Sequence, residues 1–180
     1  MIHTPINCRC AIVPSDAALS SPCTCPECVS LCWHSPGWFG SIKEIEGAAK
    51  IKSMSVNDFV LEYLICEYWI GDDVDIFVPA PRKNFDRFND TGEQYIESTL
   101  WADDFRSNGK GFVHATWGHN LLTGFACIFL TDENRCSIHE SKPYECKMAF
   151  GCRLKDVDYR KDVLAFWEQH QEWVEFYVSQ

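Results

Sequence analysis

The sequence lacks several features that would place it in a common class of protein. No apolar run approaches the roughly 18 residues that a membrane-spanning helix needs. The first five residues, Met-Ile-His-Thr-Pro, have neither the basic nor the apolar segment of a secretion signal. Positive charge is scarce, because 16 Lys and Arg residues face 26 Asp and Glu residues, for a formal net charge of −10. We therefore expect a cytoplasmic protein that does not associate with membranes or bind nucleic acids in general.

Familiar catalytic patterns are missing as well. The sequence shows no Ser-His-Asp set, no pair of catalytic carboxylates and no cofactor-binding loop. The segment 107–111, Ser-Asn-Gly-Lys-Gly, resembles a phosphate loop only superficially, because the leading glycine and the Ser or Thr after the lysine are absent. No residue is therefore assigned a catalytic role, and whether the protein is an enzyme is left open.

The remaining composition is that of one folded domain over residues 1–180. Hydrophobic residues make up 46% of the chain and aromatic residues 14%, which is enough apolar surface to form a core. No repeat or linker divides the sequence. Residues 1–22 contain three prolines and little periodicity, so we predict an extended lead-in.

Two capped helices are predicted in the first half of the chain. Ser41 and Glu44 have the spacing of a capping box, which predicts a short helix to about residue 52. Ser55 precedes apolar residues at i, i+3, i+4, i+7 and i+8, the spacing of a buried helical stripe. This second helix is expected to continue to Gly71.

The middle of the chain predicts little regular structure. Val74, Ile76 and Val78 alternate with Asp75 and Phe77 before two prolines at 79 and 81, which is typical of a short edge strand. Residues 82–123 are rich in Asn, Asp and Gly, and we predict only a helical turn around 94–100.

A short β-hairpin is predicted next. Apolar residues 125–130 and 136–138 flank the turn-like segment 131–134, Thr-Asp-Glu-Asn. Such a hairpin would bring Cys127 and Cys136 close to each other.

The longest predicted helix covers about 159–178. Six of its residues, apolar except for the histidine, recur at helical spacing: Val163, Phe166, Trp167, His170, Val174 and Tyr177. The expected fold is therefore mainly α, with a small irregular cysteine-rich metal-binding substructure and one short β-hairpin.

Cysteine, by contrast, is abundant, with eleven residues. Cytosolic thiols are kept reduced, and an odd number cannot pair completely, so a metal is favoured over disulfides. Eight of the cysteines fall into two groups, at 23–32 and 127–152, about a hundred residues apart, and we predict that these two segments assemble a metal site. The candidate ligands are Cys25, Cys28, Cys32, Cys127, Cys136, Cys146 and Cys152.

Seven candidate thiols exceed the four that one ordinary site needs, so two sites, or one site with spare thiols, both remain open. Thiolate ligands suit tetrahedral zinc or an iron–sulfur cluster rather than calcium or magnesium. Cys8, Cys10 and Cys23 are not assigned. Cys66 falls in the stripe of the second predicted helix and is expected to be a core residue.

Several segments resemble a known family. They are 25–28 (Cys-Pro-Glu-Cys), 36–39 (Pro-Gly-Trp-Phe), 124–130 (Gly-Phe-Ala-Cys-Ile-Phe-Leu), 136–140 (Cys-Ser-Ile-His-Glu) and 142–147 (Lys-Pro-Tyr-Glu-Cys-Lys). Together they look like the zinc- or iron-chelating cysteine-cluster family (YkgJ-like), with lysines where that family more often has arginine and without its adjacent Cys-Cys pair. The resemblance implies metal chelation in a small, mainly intracellular protein. A related cysteine cluster occurs in enzymes that methylate flagellin lysines.

These observations favour an intracellular metal-binding protein with an iron–sulfur cluster, of the 4Fe–4S type, over one with zinc. Aromatic residues near the cysteines, among them Trp33, Trp38, Phe39 and Phe150, suit a shielded cluster. The expected role is a redox, sensing or accessory module with a protein partner, and the sequence assigns no oligomeric state. One alternative is a protein side-chain-modifying, methyltransferase-like enzyme that uses the metal site as scaffold or redox centre. Another is a purely structural zinc domain.

Overall fold

A computed structural model of the protein describes residues 29, 32–33, 37–70, 75–88, 113–115, 125–148 and 160–179. The predicted lead-in at 1–22 and the predicted turn around 94–100 lie outside these residues. The helices are α1 (Ile42–Ile51), α2 (Val56–Tyr63), a 3₁₀ turn (His139–Ser141), α3 (Tyr144–Met148), α4 (Arg160–Glu168) and α5 (Gln171–Val178). The strands are β1 (Leu64–Ile70), β2 (Asp75–Pro81), β3 (Lys83–Phe88), β4 (Val113–Ala115) and β5 (Phe125–Cys127).

About half of the described residues are helical, so the helical prediction is confirmed in part. The strands are more extensive than one hairpin, because they form a three-stranded sheet, in the order β2-β1-β4, and a two-stranded sheet of β3 and β5. Within the described part of the chain, every helix is too short or too polar to cross a membrane.

The first two helices begin where the capping residues predict. Ser55 caps α2, because its hydroxyl oxygen accepts the backbone N–H of Asp58 at 3.1 Å. Ser41 occupies the N-cap position of α1 but makes no side-chain cap bond. Glu44 instead reaches one residue further back and accepts the Gly40 N–H at 2.7 Å. The start of α1 is therefore confirmed, with a different set of capping contacts.

The second helix is shorter than predicted. It ends at Tyr63, and residues 64–70 form strand β1 rather than more helix. The prediction was wrong here because a short apolar run of Leu, Ile, Cys, Tyr and Trp fits a buried strand as well as a helical stripe. Pairing decides between them: β1 matches β2 antiparallel over seven residue pairs, from Leu64↔Pro81 to Ile70↔Asp75, and also pairs with β4.

The C-terminal helix is also interrupted. A turn at 169–170 separates α4 from α5, and the side chain of Gln171 lies against the outer edge of β2. Its Oε1 accepts the Phe77 N–H at 3.0 Å, and its Nε2 donates to the Phe77 carbonyl at 3.0 Å. Gln171 thus satisfies backbone groups that an edge strand leaves unpaired, which confirms the predicted edge position of β2.

The hydrophobic core connects these elements to the cysteine-bearing segments. Phe59 of α2 stacks on Phe129, with 5.7 Å between ring centroids, and meets Phe39 edge-on at 6.5 Å. Trp167 of α4 is fully buried, and its indole N–H donates to the Phe39 carbonyl at 2.6 Å. Phe39 and Phe129 therefore fix the backbone next to Gly37 and Cys127 against the core.

The predicted turn at 131–134 is present, although its strands pair differently. Leu130 and Cys136 form an isolated antiparallel bridge, and the Thr131 N–H donates to the Arg135 carbonyl at 2.8 Å. Strand β5, however, pairs with β3, a strand that the sequence did not predict. Lys83 of β3 lies directly opposite Cys127 in this pair.

Candidate functional site

Four of the predicted cysteines lie together in the structure. Every pair among them is close enough to interact electrostatically, which includes the pairs that join Cys32 to the second half of the chain. We call this set the four-thiol group, and its members are Cys32, Cys127, Cys136 and Cys146. The structure thus places one cysteine of the first sequence group beside three of the second.

Each thiol is carried by a different local structure. Cys32 lies in helical backbone, Cys127 ends strand β5, Cys136 lies at the bridge after the tight turn, and Cys146 lies in helix α3. Cys127 is buried, and the other three are partly exposed.

Cys127 and Cys136 begin two matching turns. The N–H of Phe129 points at the sulfur of Cys127, and the N–H of Leu130 donates to the Cys127 carbonyl at 2.9 Å. In the same way, the N–H of Ile138 points at the sulfur of Cys136, and the next N–H donates to the Cys136 carbonyl at 3.2 Å. An N–H directed at sulfur stabilises the thiolate over the thiol. Both turns therefore favour the form of cysteine that binds metals.

A third N–H comes from a distant part of the chain. The Gly37 N–H donates to the Cys146 sulfur at 3.2 Å across 109 residues of sequence. The neighbouring residue strengthens this contact, because the Trp38 N–H donates to Glu145 Oε2 at 2.8 Å and the Glu145 N–H donates to the Trp38 carbonyl at 3.3 Å. Segment 37–40, which follows the first cysteine group, is thereby docked on α3.

Glu44 of α1 also stabilises the contact between segment 37–40 and α3. Its Oε2 accepts the N–H of Gly40 at 2.7 Å and that of Tyr144 at 2.9 Å, while its Oε1 pairs with Lys147 Nζ at 2.6 Å. One carboxylate thus joins α1, segment 37–40 and α3. Hydrogen bonds to a charged group are stronger than neutral ones, so Glu44 is a positioning residue for the Cys146 side of the group.

Burial keeps these thiols protonated when no cation is near. Burial, with a smaller contribution from Cys136, raises the pKa of Cys32 to about 11. Burial likewise raises the pKa of Cys127, Cys136 and Cys146 above the ordinary value of a thiol. The directed N–H groups oppose this shift only in part. A bound cation would supply the missing stabilisation and displace the thiol protons.

Two buried lysines lie beside the four-thiol group. Lys83 and Lys142 are 3% and 9% exposed, although lysine is rarely buried. Lys83 interacts with Cys127, and less strongly with Glu67 and Cys32. Lys142 interacts with Cys32 and Cys136. Burial lowers the pKa of Lys83 to about 8, and the neighbouring acidic groups oppose that shift.

Glu67 completes a buried polar network behind the thiols. This carboxylate is 4% exposed and accepts the indole N–H of Trp38. Since the Trp38 backbone also pairs with Glu145, one tryptophan connects strand β1 to the junction at α3. The site therefore has an interior lined by charged and hydrogen-bonded groups as well as by aromatic rings.

The remaining predicted ligands, Cys25, Cys28 and Cys152, lie outside the described residues, as does Cys23. None of the described cysteines is in a disulfide. Across the ranges that the structure describes, no three or more His, Cys, Asp or Glu side chains are already arranged in metal-coordinating positions. The donor chemistry of the four-thiol group nevertheless fits a thiophilic metal, because it offers four sulfurs and at least three N–H groups directed at them.

The sequence did not identify several residues around the site. Lys83 and Glu67 were missed because their segments were read as irregular chain and helix, and neither residue type signals burial. Glu44 was recognised only as a capping residue. Gly37 and Lys142 lie in the segments that carry the family resemblance, which was the only available sign of a role.

Comparison of the chain with protein-family models, curated proteins and solved structures found no match.

Cys66 provides a test that separates core cysteines from the four-thiol group. It is fully buried in β1, not in a helix as predicted, and burial together with Glu67 raises the pKa of its thiol. We expect Cys66→Ala to cost about 1 kcal/mol of stability, since roughly one methylene-sized group is lost from the core. Metal content, measured by elemental analysis of the purified protein, should equal that of the wild type. Loss of metal from a folded variant would contradict a purely packing role.

Proposed function

We propose that the protein is a cysteine-cluster metalloprotein, of the YkgJ-like kind, in which the four-thiol group binds a metal centre. The observation that carries this proposal is the assembly of four thiols from distant parts of the chain, three of them with backbone N–H groups directed at sulfur. Four thiolates complete the coordination of one tetrahedral zinc ion or one 4Fe–4S cluster. Cys25, Cys28 and Cys152 would then serve a second site or remain as spare thiols.

Between the two centres, we favour the iron–sulfur cluster. Hydrogen bonds to the sulfurs and partial burial are features that set the reduction potential of such clusters. Phe39, Trp38 and Phe129 are buried next to the sulfur-bearing segments and would limit solvent access. The function would be redox transfer, sensing or an accessory role with a protein partner. Zinc at the same thiols would instead make the site structural, because no coordination position would stay open.

Anaerobic purification followed by optical spectroscopy and metal analysis tests the choice. A cluster gives a broad visible absorbance that dithionite bleaches, together with stoichiometric iron and sulfide. A colourless protein with stoichiometric zinc would reject the redox role and retain the metal site. A protein with neither metal, which also fails to take up zinc or a reconstituted cluster, would reject the proposal as a whole.

Metal binding is expected to release protons. Burial raises the pKa of Cys32 to about 11, so this thiol and its neighbours are protonated near neutral pH in the metal-free protein. Zinc binding by four thiols should therefore release roughly four protons per ion. Calorimetric titrations in two buffers with different ionisation enthalpies measure this number. Binding without proton release would show that neutral groups, rather than these thiols, hold the ion.

A further inference from the structure

We infer that Lys83 and Lys142 form a cationic shell around the four-thiol group and make the site selective for a centre with net negative charge. The inference rests on the proposed metal-binding function and specifies the class of centre that the site accepts. A divalent ion, or an oxidised 4Fe–4S cluster, carries about +2 and becomes about −2 when four thiolates bind it. A centre of this charge matches two nearby cations.

The two lysines approach the thiols from different segments. Lys83 projects from β3, where it is paired with Cys127 of β5. Lys142 follows the 3₁₀ turn and precedes α3, so it lies between Cys136 and Cys146 in the chain. Both interact with Cys32. Lys83 also interacts with Cys127, and Lys142 also interacts with Cys136. The positive charge is thus distributed over the group rather than placed at one sulfur.

Burial explains why these charges act on the centre. A lysine that is 3% or 9% exposed has lost most of its hydration, and a nearby negative charge stabilises it. Glu67 and Cys127 both lie near enough to act on the charge of Lys83, and Cys127 becomes a source of negative charge once it binds a metal as a thiolate. Charges interact more strongly in a buried environment than in water, so thiolates stabilise these lysines far more than neutral thiols do.

A third lysine contributes less. Lys52 also interacts with Cys136, but it is partly exposed, and its Nζ lies over the rings of Tyr63 and Phe129 at 5.2 and 5.8 Å. Solvent screens its charge, and the aromatic faces already stabilise it. The selective effect is therefore assigned to the two buried lysines.

The test uses the full chain with Lys83→Met and Lys142→Met, which keep the length of the side chain and remove its charge. Zinc affinity is measured by competition with a chromophoric chelator, and thermal melting is measured with and without zinc. Each variant should bind zinc about 10–100-fold more weakly at unchanged stoichiometry, the usual cost of losing an outer-shell partner. The rise in melting temperature on adding zinc should be smaller in each variant than in the wild type, because the bound centre has lost a nearby positive charge.

Two controls accompany these variants. Lys50→Met removes an exposed lysine of α1 and should leave zinc affinity unchanged. Lys142→Arg keeps the positive charge and should retain most of the affinity.

Equal zinc affinity in Lys83→Met, Lys142→Met and the wild type would overturn the inference and leave the proposed function standing. A rise in melting temperature on adding zinc as large as that of the wild type would show a purely structural role and overturn it as well. Failure of the wild-type chain to bind either zinc or a reconstituted cluster through its thiols would reject both.

Discussion

Cys146→Ser is expected to remove most of the metal and the stability that the metal provides. Serine has nearly the same shape, so packing in α3 changes little, but its hydroxyl is a poor ligand for a thiophilic ion. Loss of a ligand should weaken binding by more than the roughly 10–100-fold that an outer-shell change costs. At a metal concentration of about 100 times the wild-type Kd, the stabilisation of about 2.7 kcal/mol would fall to about 0.4 kcal/mol for a roughly 100-fold loss of affinity, and lower for a larger loss. For a chain of 180 residues this loss lowers Tm by roughly 5–9 °C.

Elemental analysis and thermal melting of the variant, with and without added metal, measure both effects. The wild type and the variant should melt closely together when neither holds metal, which separates a ligand from a core residue. Cys136→Ser is expected to behave in the same way, whereas Cys66→Ala is not. Full metal occupancy together with the wild-type Tm in Cys146→Ser would remove Cys146 from the ligand set.

Gly37→Ala is expected to be strongly destabilising although it changes no thiol. An added Cβ would lie 2.8 Å from the backbone nitrogen of Cys146, 2.8 Å from Glu145 Cβ and 2.9 Å from the Cys146 sulfur. Backbone atoms of α3 cannot yield cheaply, so segment 37–40 must move away and lose the N–H contact to sulfur. Overpacking costs about 1–3 kcal/mol, and the lost hydrogen bonds add to it, so we expect about 3 kcal/mol and a Tm lower by roughly 6–12 °C. Chemical denaturation and zinc titration measure the two consequences.

Gly47→Ala is the matched control. In this helical position the added Cβ meets Ser141 Oγ at 2.5 Å and Ser141 Cβ at 3.2 Å. The hydroxyl can rotate away, and alanine is favoured over glycine inside a helix by about 1 kcal/mol. We therefore expect a small net change and wild-type zinc affinity. If Gly37→Ala resembled this control in both stability and affinity, the close docking of segment 37–40 on α3 would not be needed for the site.

The features that local chemistry controls could be predicted from the sequence. Ser41 and Ser55 mark the starts of α1 and α2, because N-caps satisfy backbone donors within a few residues. The turn at 131–134 follows from its polar composition in the same way. The spacing and the odd number of the cysteines predicted a site assembled from both halves of the chain. The structure brings Cys32 beside Cys127, Cys136 and Cys146, and their role as metal ligands stays a prediction.

Long-range contacts decided the rest. The run 64–70 fits helix or strand locally, and pairing with β2 and β4 makes it a strand. The break before Gln171 depends on the free edge of β2, which adjacent residues do not reveal. The burial of Lys83 depends on strand β3 meeting β5, and the contact between Gly37 and Cys146 spans 109 residues. The sequence by itself determined where α1 and α2 begin, because helix caps depend on neighbouring residues. It also determined the number and spacing of the cysteines. Only the tertiary structure decided which groups surround the thiols, because burial and charge pairing arise where distant segments pack together.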